Sequence, residues 1–262
     1  PPDYWTQPVG VLLALLLAAG TVASLIALTG RIGHDRKVQG VVTAVSSPAP
    51  DVTEIVCRLD GAWRGHQAGQ FAFVGLERFE GSHPFTIASA DHGDRSLSFQ
   101  IKALGDYTRQ LASRVAVGQA VTVEGPYGRF VLGRQDHKAR QIWVAGGIGV
   151  TPFLAWLDAL RGDPAAAPAV ELHYSTRGAA QDPFVERLRS LCAGLPSVSL
   201  HIHDRAAGDD LTPERLAATA TDGQRAEVWF CGPRGFGDQL KTGLGRLWGR
   251  RLSFRREAFE MR

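Results

Sequence analysis

Cysteine is scarce in this chain, and Cys57, Cys192 and Cys231 stand far apart. No C-x-x-C pair is present, which argues against zinc ribbons and thioredoxin-like chemistry. The plant-type iron–sulfur spacing is absent too, so no such cluster module is built in. An odd, sparse thiol count fits a reducing compartment. Excess charge of either sign is also missing: 29 Lys and Arg against 26 Asp and Glu leave a net charge of +3. That balance offers no case for a nucleic-acid partner. No internal repeat or low-complexity segment stands out. Residues 1–30 hold no histidine, and no charged residue occurs between Tyr4 and Gly30.

What is there begins with that uncharged stretch. As a helix, Pro8 to Leu28 would reach about 31 Å, roughly one hydrocarbon thickness. Tyr4 and Trp5 sit where an interfacial aromatic belt would lie, and Arg31, His34, Arg36 and Lys37 follow as a basic flank. No basic residues precede the run and it exceeds a signal-peptide core, so a transmembrane helix is expected. Ala19, Ala23 and Ala27 recur at four-residue spacing and could pack against another membrane helix. The positive flank puts residues 31–262 on the cytoplasmic side, and the expected location is the cell inner membrane.

The remaining length suits about two domains. From Lys37 to about Leu132 the chain reads as short strands: 38–46, 52–59, 70–74, 84–89, 96–103 and 121–124, with a short helix at 107–114. Gly, Pro and Asp punctuate them, which predicts a small antiparallel β-barrel. After a polar linker, strands alternate with helices: 141–145, 169–175, 198–203, 227–230 and 252–258, with helices at 152–160, 183–193, 213–220 and 235–248. That alternation predicts a doubly wound α/β domain with a parallel sheet. The expected units are 1–36, 37–136 and 137–262.

The strongest local signal is Ala145-Gly146-Gly147-Ile148-Gly149-Val150-Thr151-Pro152-Phe153, directly after the apolar run 141–144. Gly146, Gly147 and Gly149 permit a tight turn and a close ligand approach. Thr151 is expected as the helix N-cap with Pro152 in the first turn. A strand, a glycine turn and a helix start together make a seat for a pyrophosphate.

Four further segments stand in order around it: His83-Pro84-Phe85-Thr86, Gly125-Pro126-Tyr127-Gly128, Cys231-Gly232-Pro233, and the C-terminal Glu257-Ala258-Phe259-Glu260-Met261-Arg262. Together they resemble the dehydrogenase domain of the ferric reductase and NADPH oxidase families, within the ferredoxin–NADP reductase-like superfamily. The resemblance runs from about residue 37 to 262. It implies FAD bound by His83, Pro84, Phe85 and Thr86, with the Thr86 hydroxyl reaching flavin N5. It implies a second flavin segment at Lys102, Gly105, Asp106 and Thr108, and a turn beside the flavin at Gly125, Tyr127 and Gly128. By the same resemblance Cys231, Gly232 and Pro233 lie near the nicotinamide, Glu257 is the C-terminal acid, and Phe259 is an aromatic lid over the flavin.

Ser175 and Arg177 end the second sheet strand, where a doubly wound sheet meets the adenosine ribose. A hydroxyl and a guanidinium suit a 2′-phosphate, so NADPH is expected over NADH. Asp182 nearby is the counter-argument. His201 and His203 alternate on one strand and Asp204 follows, but no third partner lies at ligand spacing, so no metal site is expected.

The family resemblance implies membrane helices before this one, since the chain starts at Pro1 without Met. In those families haem ligands sit on such helices, and this stretch has none. The expected partners are therefore the lipid bilayer and the remaining transmembrane helices or a haem-bearing membrane domain. The expected activity is hydride transfer from NADPH to FAD, then single electrons to haem and on to ferric iron or oxygen. The alternative is a haem-independent flavin reductase feeding a separate acceptor.

Overall fold

The computed structural model describes residues 7–28, 36–76, 81–136, 138–218 and 224–257. Tyr4, Trp5, Arg31, His34 and Phe259 lie outside the described residues. The chain divides into two compact units, Pro1–Lys37 and Val38–Arg262.

In the first unit, α1 spans Pro8–Leu28 and holds no charged residue. Its mean hydropathy of 2.6 and its 21 residues make it long and apolar enough to cross a membrane. Its hydroxyls are satisfied within the helix. Thr21 Oγ1 donates to Leu17 O at 2.8 Å and Ser24 Oγ to Gly20 O at 2.9 Å. Such back-bonding removes the cost of a free hydroxyl in hydrocarbon.

The second unit opens with six strands: β1 (Lys37–Ala49), β2 (Val52–Leu59), β3 (Phe71–Gly75), β4 (His83–Thr86), β5 (Ser96–Lys102) and β6 (Ala120–Tyr127). They form one sheet in the order β4-β3-β6-β1-β2-β5. An antiparallel bridge between Ile87 and Phe99 joins its two edges, closing an antiparallel barrel. Alternation fills the interior. Ala72, Val74, Phe85, Leu97, Phe99, Val121 and Val123 share one core, with Leu111 of α2 (Asp106–Arg114) added to it.

The rest alternates strictly: β7 (Arg140–Gly146), α3 (Thr151–Gly162), β8 (Val170–Thr176), α4 (Pro183–Cys192), β9 (Val198–Asp204), α5 (Pro213–Ala218), β10 (Ala226–Cys231), α6 (Arg234–Trp248) and β11 (Leu252–Glu257). All pairings are parallel, in the order β11-β10-β7-β8-β9. The chain steps outward from β7 to β9, then crosses back to β10. The reversal leaves a switch point between β7 and β10 at their carboxyl ends. α3 and α4 pack on one face with Trp143, Trp156 and Trp229, while α6 covers the other with Leu240, Leu244 and Trp248.

Barrel and sheet are fastened together within this unit. Phe130 stacks on Trp156 with centroids 5.0 Å apart. Trp156 Nε1 donates to Ala68 O at 2.9 Å. Asp158 accepts from Ala90 N and pairs with His92 Nε2, both at 2.9 Å. The buried Glu227 carboxylate accepts from Asp136 N, Gln141 Nε2 and Arg255 Nε at 2.6–3.2 Å, anchoring the linker to the sheet.

One expected helix start needs correction. Gly147–Val150 forms a 3-10 turn and Val150 is the N-cap of α3, so Thr151 is already helical. Its hydroxyl donates back to Ile148 O at 2.9 Å instead of accepting from the helix. Thr212 caps the start of α5, with Arg215 N donating to Thr212 Oγ1 at 3.3 Å.

Candidate active site

The barrel offers an outer wall. Along β3 the odd positions point out where Ala72 and Val74 point in. Phe71, Phe73 and Tyr127 contact one another there, with centroids 5.7–5.9 Å apart. Thr86 is the cross-strand partner of Phe71, and Pro84 that of Phe73. Thr86 is 6% exposed, and its hydroxyl, with no hydrogen-bond partner among the described residues, stays reachable from solvent. Phe85, which the resemblance implies among the FAD-binding residues, is buried in the barrel core. His83 stacks on Tyr107 of α2 at 4.0 Å.

At the start of α2, Thr108 Oγ1 accepts from Leu104 N at 3.0 Å and Gly105 N at 2.9 Å. The hydroxyl is committed to the turn, which leaves the following N–H groups of the first helical turn for an anion. Asp106 pairs loosely with Arg109 at 3.6 Å. Lys102 pairs with Asp51 across the β1–β2 turn at 3.0 Å, which accounts for its charge without a flavin.

At the switch point the backbones close in. A Cβ on Gly149 would lie 2.3 Å from Cys231 O, and one on Gly146 would lie 2.9 Å from Pro233 Cδ. A Cβ on Gly232 would lie 3.0 Å from Gly146 N. These distances explain glycine at each position by approach alone. Gly147, by contrast, has open space beside it. Pro152 is buried in the first turn of α3.

Cys231 ends β10 and stands in register with Glu257 at the end of β11. Burial, and next the Glu257 carboxyl, push the Cys231 thiol well above its ordinary range. It is a neutral, packed thiol and not a nucleophilic thiolate. Burial likewise raises the Glu257 carboxyl to about 7. Gly128 joins this edge to the barrel wall. Its φ is +99°, and a Cβ there would lie 3.1 Å from the Phe71 ring and 3.7 Å from Glu257 Oε1. Thr86, Phe71, Gly128, Glu257 and Cys231 therefore follow one another from the barrel wall to the sheet edge. Gly125 backs the same turn against Ala72.

At the carboxyl end of β8, Ser175 is buried and Arg177 is exposed. Asp182 is already occupied. Its Oδ2 accepts from Tyr174 Oη at 2.7 Å and Thr176 Oγ1 at 2.5 Å. Its Oδ1 caps α4 by accepting from Phe184 N at 2.9 Å.

Sequence reasoning missed Phe71 and Phe73. The alternation of 70–74 shows that every second residue shares a face, but not which face the barrel closes around.

The second unit thus joins an antiparallel barrel to a glycine-edged parallel sheet. Comparison with known proteins finds the same architecture. Residues 41–131 match the FAD-binding domain family. The anthranilate 1,2-dioxygenase electron transfer component of Acinetobacter baylyi is 28% identical over 154 residues, 56% of this chain and 43% of that protein. Respiratory burst oxidase homolog protein E of Arabidopsis thaliana is 32% identical over 121 residues, 35% of this chain and 12% of that protein. A ferredoxin NADP+ reductase from Neisseria gonorrhoeae with bound FAD and NADP shares the fold, with a TM-score of 0.64 at 17% identity over 84% of this chain and 98% of that one. Residues 41–131 therefore carry an FAD-binding domain, and the fold of the chain is the one seen in ferredoxin–NADP reductase-like structures. It spans less than half the length of the first curated relatives it matches.

Proposed function

We propose that this chain is the dehydrogenase part of a membrane electron-transfer protein, with 37–136 holding FAD and 137–262 holding NADPH. The observation that carries this reading is the junction at Gly128, where the barrel wall reaches the Glu257 and Cys231 sheet edge. A flavin on the wall and a nicotinamide at the switch point would meet there. The wall fits a flavin: aromatic rings flank an unpartnered Thr86 hydroxyl that can serve a ring nitrogen. Bound FAD would accept a hydride and release its electrons singly.

The chain's own residues bind and orient. The glycine edge and the α3 turn hold a pyrophosphate, and Cys231 and Glu257 shape the nicotinamide pocket and keep water out. Arg177 and Ser175 take the 2′-phosphate. The commitment of Asp182 to α4 and to Tyr174 and Thr176 removes the acidic group that would have favoured NADH. α1 anchors the chain in the inner membrane with the catalytic unit cytoplasmic. Electrons then pass to haem in further membrane helices and on to ferric iron or oxygen. Similarity to an oxygenase electron transfer component supports a second reading, a reductase that feeds a separate acceptor protein.

The test is anaerobic mixing of the FAD-loaded chain with NADPH. The visible flavin absorbance should bleach, and faster than with NADH. No bleaching with either nucleotide would sink the reading. In membranes holding the whole protein, NADPH should then reduce haem. Flavin reduction without haem reduction would favour the second reading.

A further inference from the structure

Strands β8 and β9 bring three imidazoles into a row that sequence spacing does not show. His173 stands opposite His201 in the strand register. Their rings stack at 4.7 Å and 14°, and His203 stacks on His173 at 5.3 Å and 15°. Glu171 shares the face, with Oε2 3.6 Å from His173 Nε2. One donor atom from each of Glu171, His173 and His201 lies within 4.8 Å of the others. Sequence spacing offered only His201 and His203 on one strand, and the neighbouring strand adds Glu171 and His173 beside His201.

Proton placement favours a cation at this cluster. His203 Nδ1 lies 3.5 Å from the Asp209 carboxylate, which favours a proton on that nitrogen. His203 Nε2 is then an acceptor, and His173 Nδ1, 3.1 Å away, donates to it. That assignment leaves His173 Nε2 as a bare lone pair. It has no hydrogen-bond partner among the described residues, on a side chain of a residue only 6% exposed. It faces the Glu171 carboxylate, so two electron-rich groups confront each other with nothing between them.

We propose that Glu171, His173 and His201 bind one divalent transition-metal ion of the zinc type. Two imidazoles and a carboxylate are a donor set that zinc accepts, with a fourth position open to water. His203 orients His173 through Nδ1, as outer partners of ligating histidines do. Arg140 orients Glu171, donating from Nε at 2.8 Å and Nη2 at 2.7 Å. His201 is exposed, so its ring is free to tilt into the coordination sphere. The ion would pin the edge strand β9 to β8.

The test is zinc titration of the chelator-stripped, FAD-loaded full chain against a chromophoric chelator, beside His201→Ala and Glu171→Gln. The wild type should bind one zinc more per chain than either variant, or bind it roughly tenfold tighter. Retained flavin shows that a variant is folded. Equal stoichiometry and affinity in all three would overturn the site. Cobalt(II) added to the wild type should give visible absorbance of a tetrahedral centre, lost in Glu171→Gln. Absence of that absorbance in the wild type would overturn it as well.

Discussion

The barrel and the parallel sheet present their candidate residues in opposite ways. The barrel uses a wall: Phe71, Phe73 and Tyr127 point outward while Ala72 and Val74 fill the interior. The sheet uses an edge, where β7 and β10 end and backbone meets backbone with only hydrogen between. A wall side chain has solvent on one side and can be exchanged at modest cost. An edge closed to 2.3 Å between a Gly149 Cβ and Cys231 O has no such slack. Binding at the wall should therefore respond to substitution gradually, and binding at the edge abruptly.

The most damaging change should be Gly149→Ala. The added methyl meets the Cys231 carbonyl, which is backbone and cannot swing aside. Overpacking of this kind costs about 1–3 kcal/mol, and here it falls on the ligand-binding turn. FAD should stay bound, while NADPH-driven flavin reduction in stopped flow drops by roughly a hundredfold. A variant as fast as wild type would show that the edge has slack after all.

Arg177→Ala comes next and leaves the backbone alone. Charge-assisted hydrogen bonds to a phosphate are worth about 1.5–3 kcal/mol. NADPH affinity should fall roughly ten- to a hundredfold, with NADH little changed. Equal losses for both nucleotides would remove Arg177 from the 2′-phosphate. Gly128→Ala tests the wall side. A non-glycine residue at positive φ costs about 1–3 kcal/mol, and the methyl presses on Phe71. FAD should dissociate about tenfold more readily on dilution, read by flavin fluorescence. Unchanged retention would mean that the flavin does not use this wall.

The same contrast explains what was legible beforehand. The glycine edge is local chemistry: 145–153 sits in one stretch of sequence, and its turn follows from residue type. Strand and helix order was legible for the same reason, since period-2 and helical runs alternate with Gly and Pro breaks. What needed coordinates was pairing across strands. Which face of β3 is outside depends on closure of the barrel, so Phe71 and Phe73 were invisible, as was the packing of Phe85 into the barrel core. The Lys102 partner Asp51 lies in the β1–β2 turn, and the His173 neighbours His201 and His203 lie on the adjoining strand. Thr151 was read as a cap because Thr before Pro is a good cap, but the 3-10 turn at Gly147–Val150 brings the helix start forward by one residue.

The smallest expected effect concerns Glu257, where wall and edge meet. Burial raises its carboxyl from an ordinary 4.5 to about 7. Between those values the folded protein holds a proton that the unfolded chain has released, so the native state binds more protons. Stability must then fall as pH rises through that window, and the extra stability is complete only below the unfolded value. Glu257→Gln carries no titrating group and should lose this slope. From about pH 5 to about pH 8, the wild-type Tm should drop by a few degrees relative to the variant. If nucleotide docking covers Glu257, NADPH should keep the proton on. The rate of flavin reduction would then show an inflection near neutral pH that Glu257→Gln lacks. Parallel Tm curves for the two proteins would mean that water reaches the carboxyl freely. The junction would then be open to solvent, and the barrel and the sheet edge could not form one closed site.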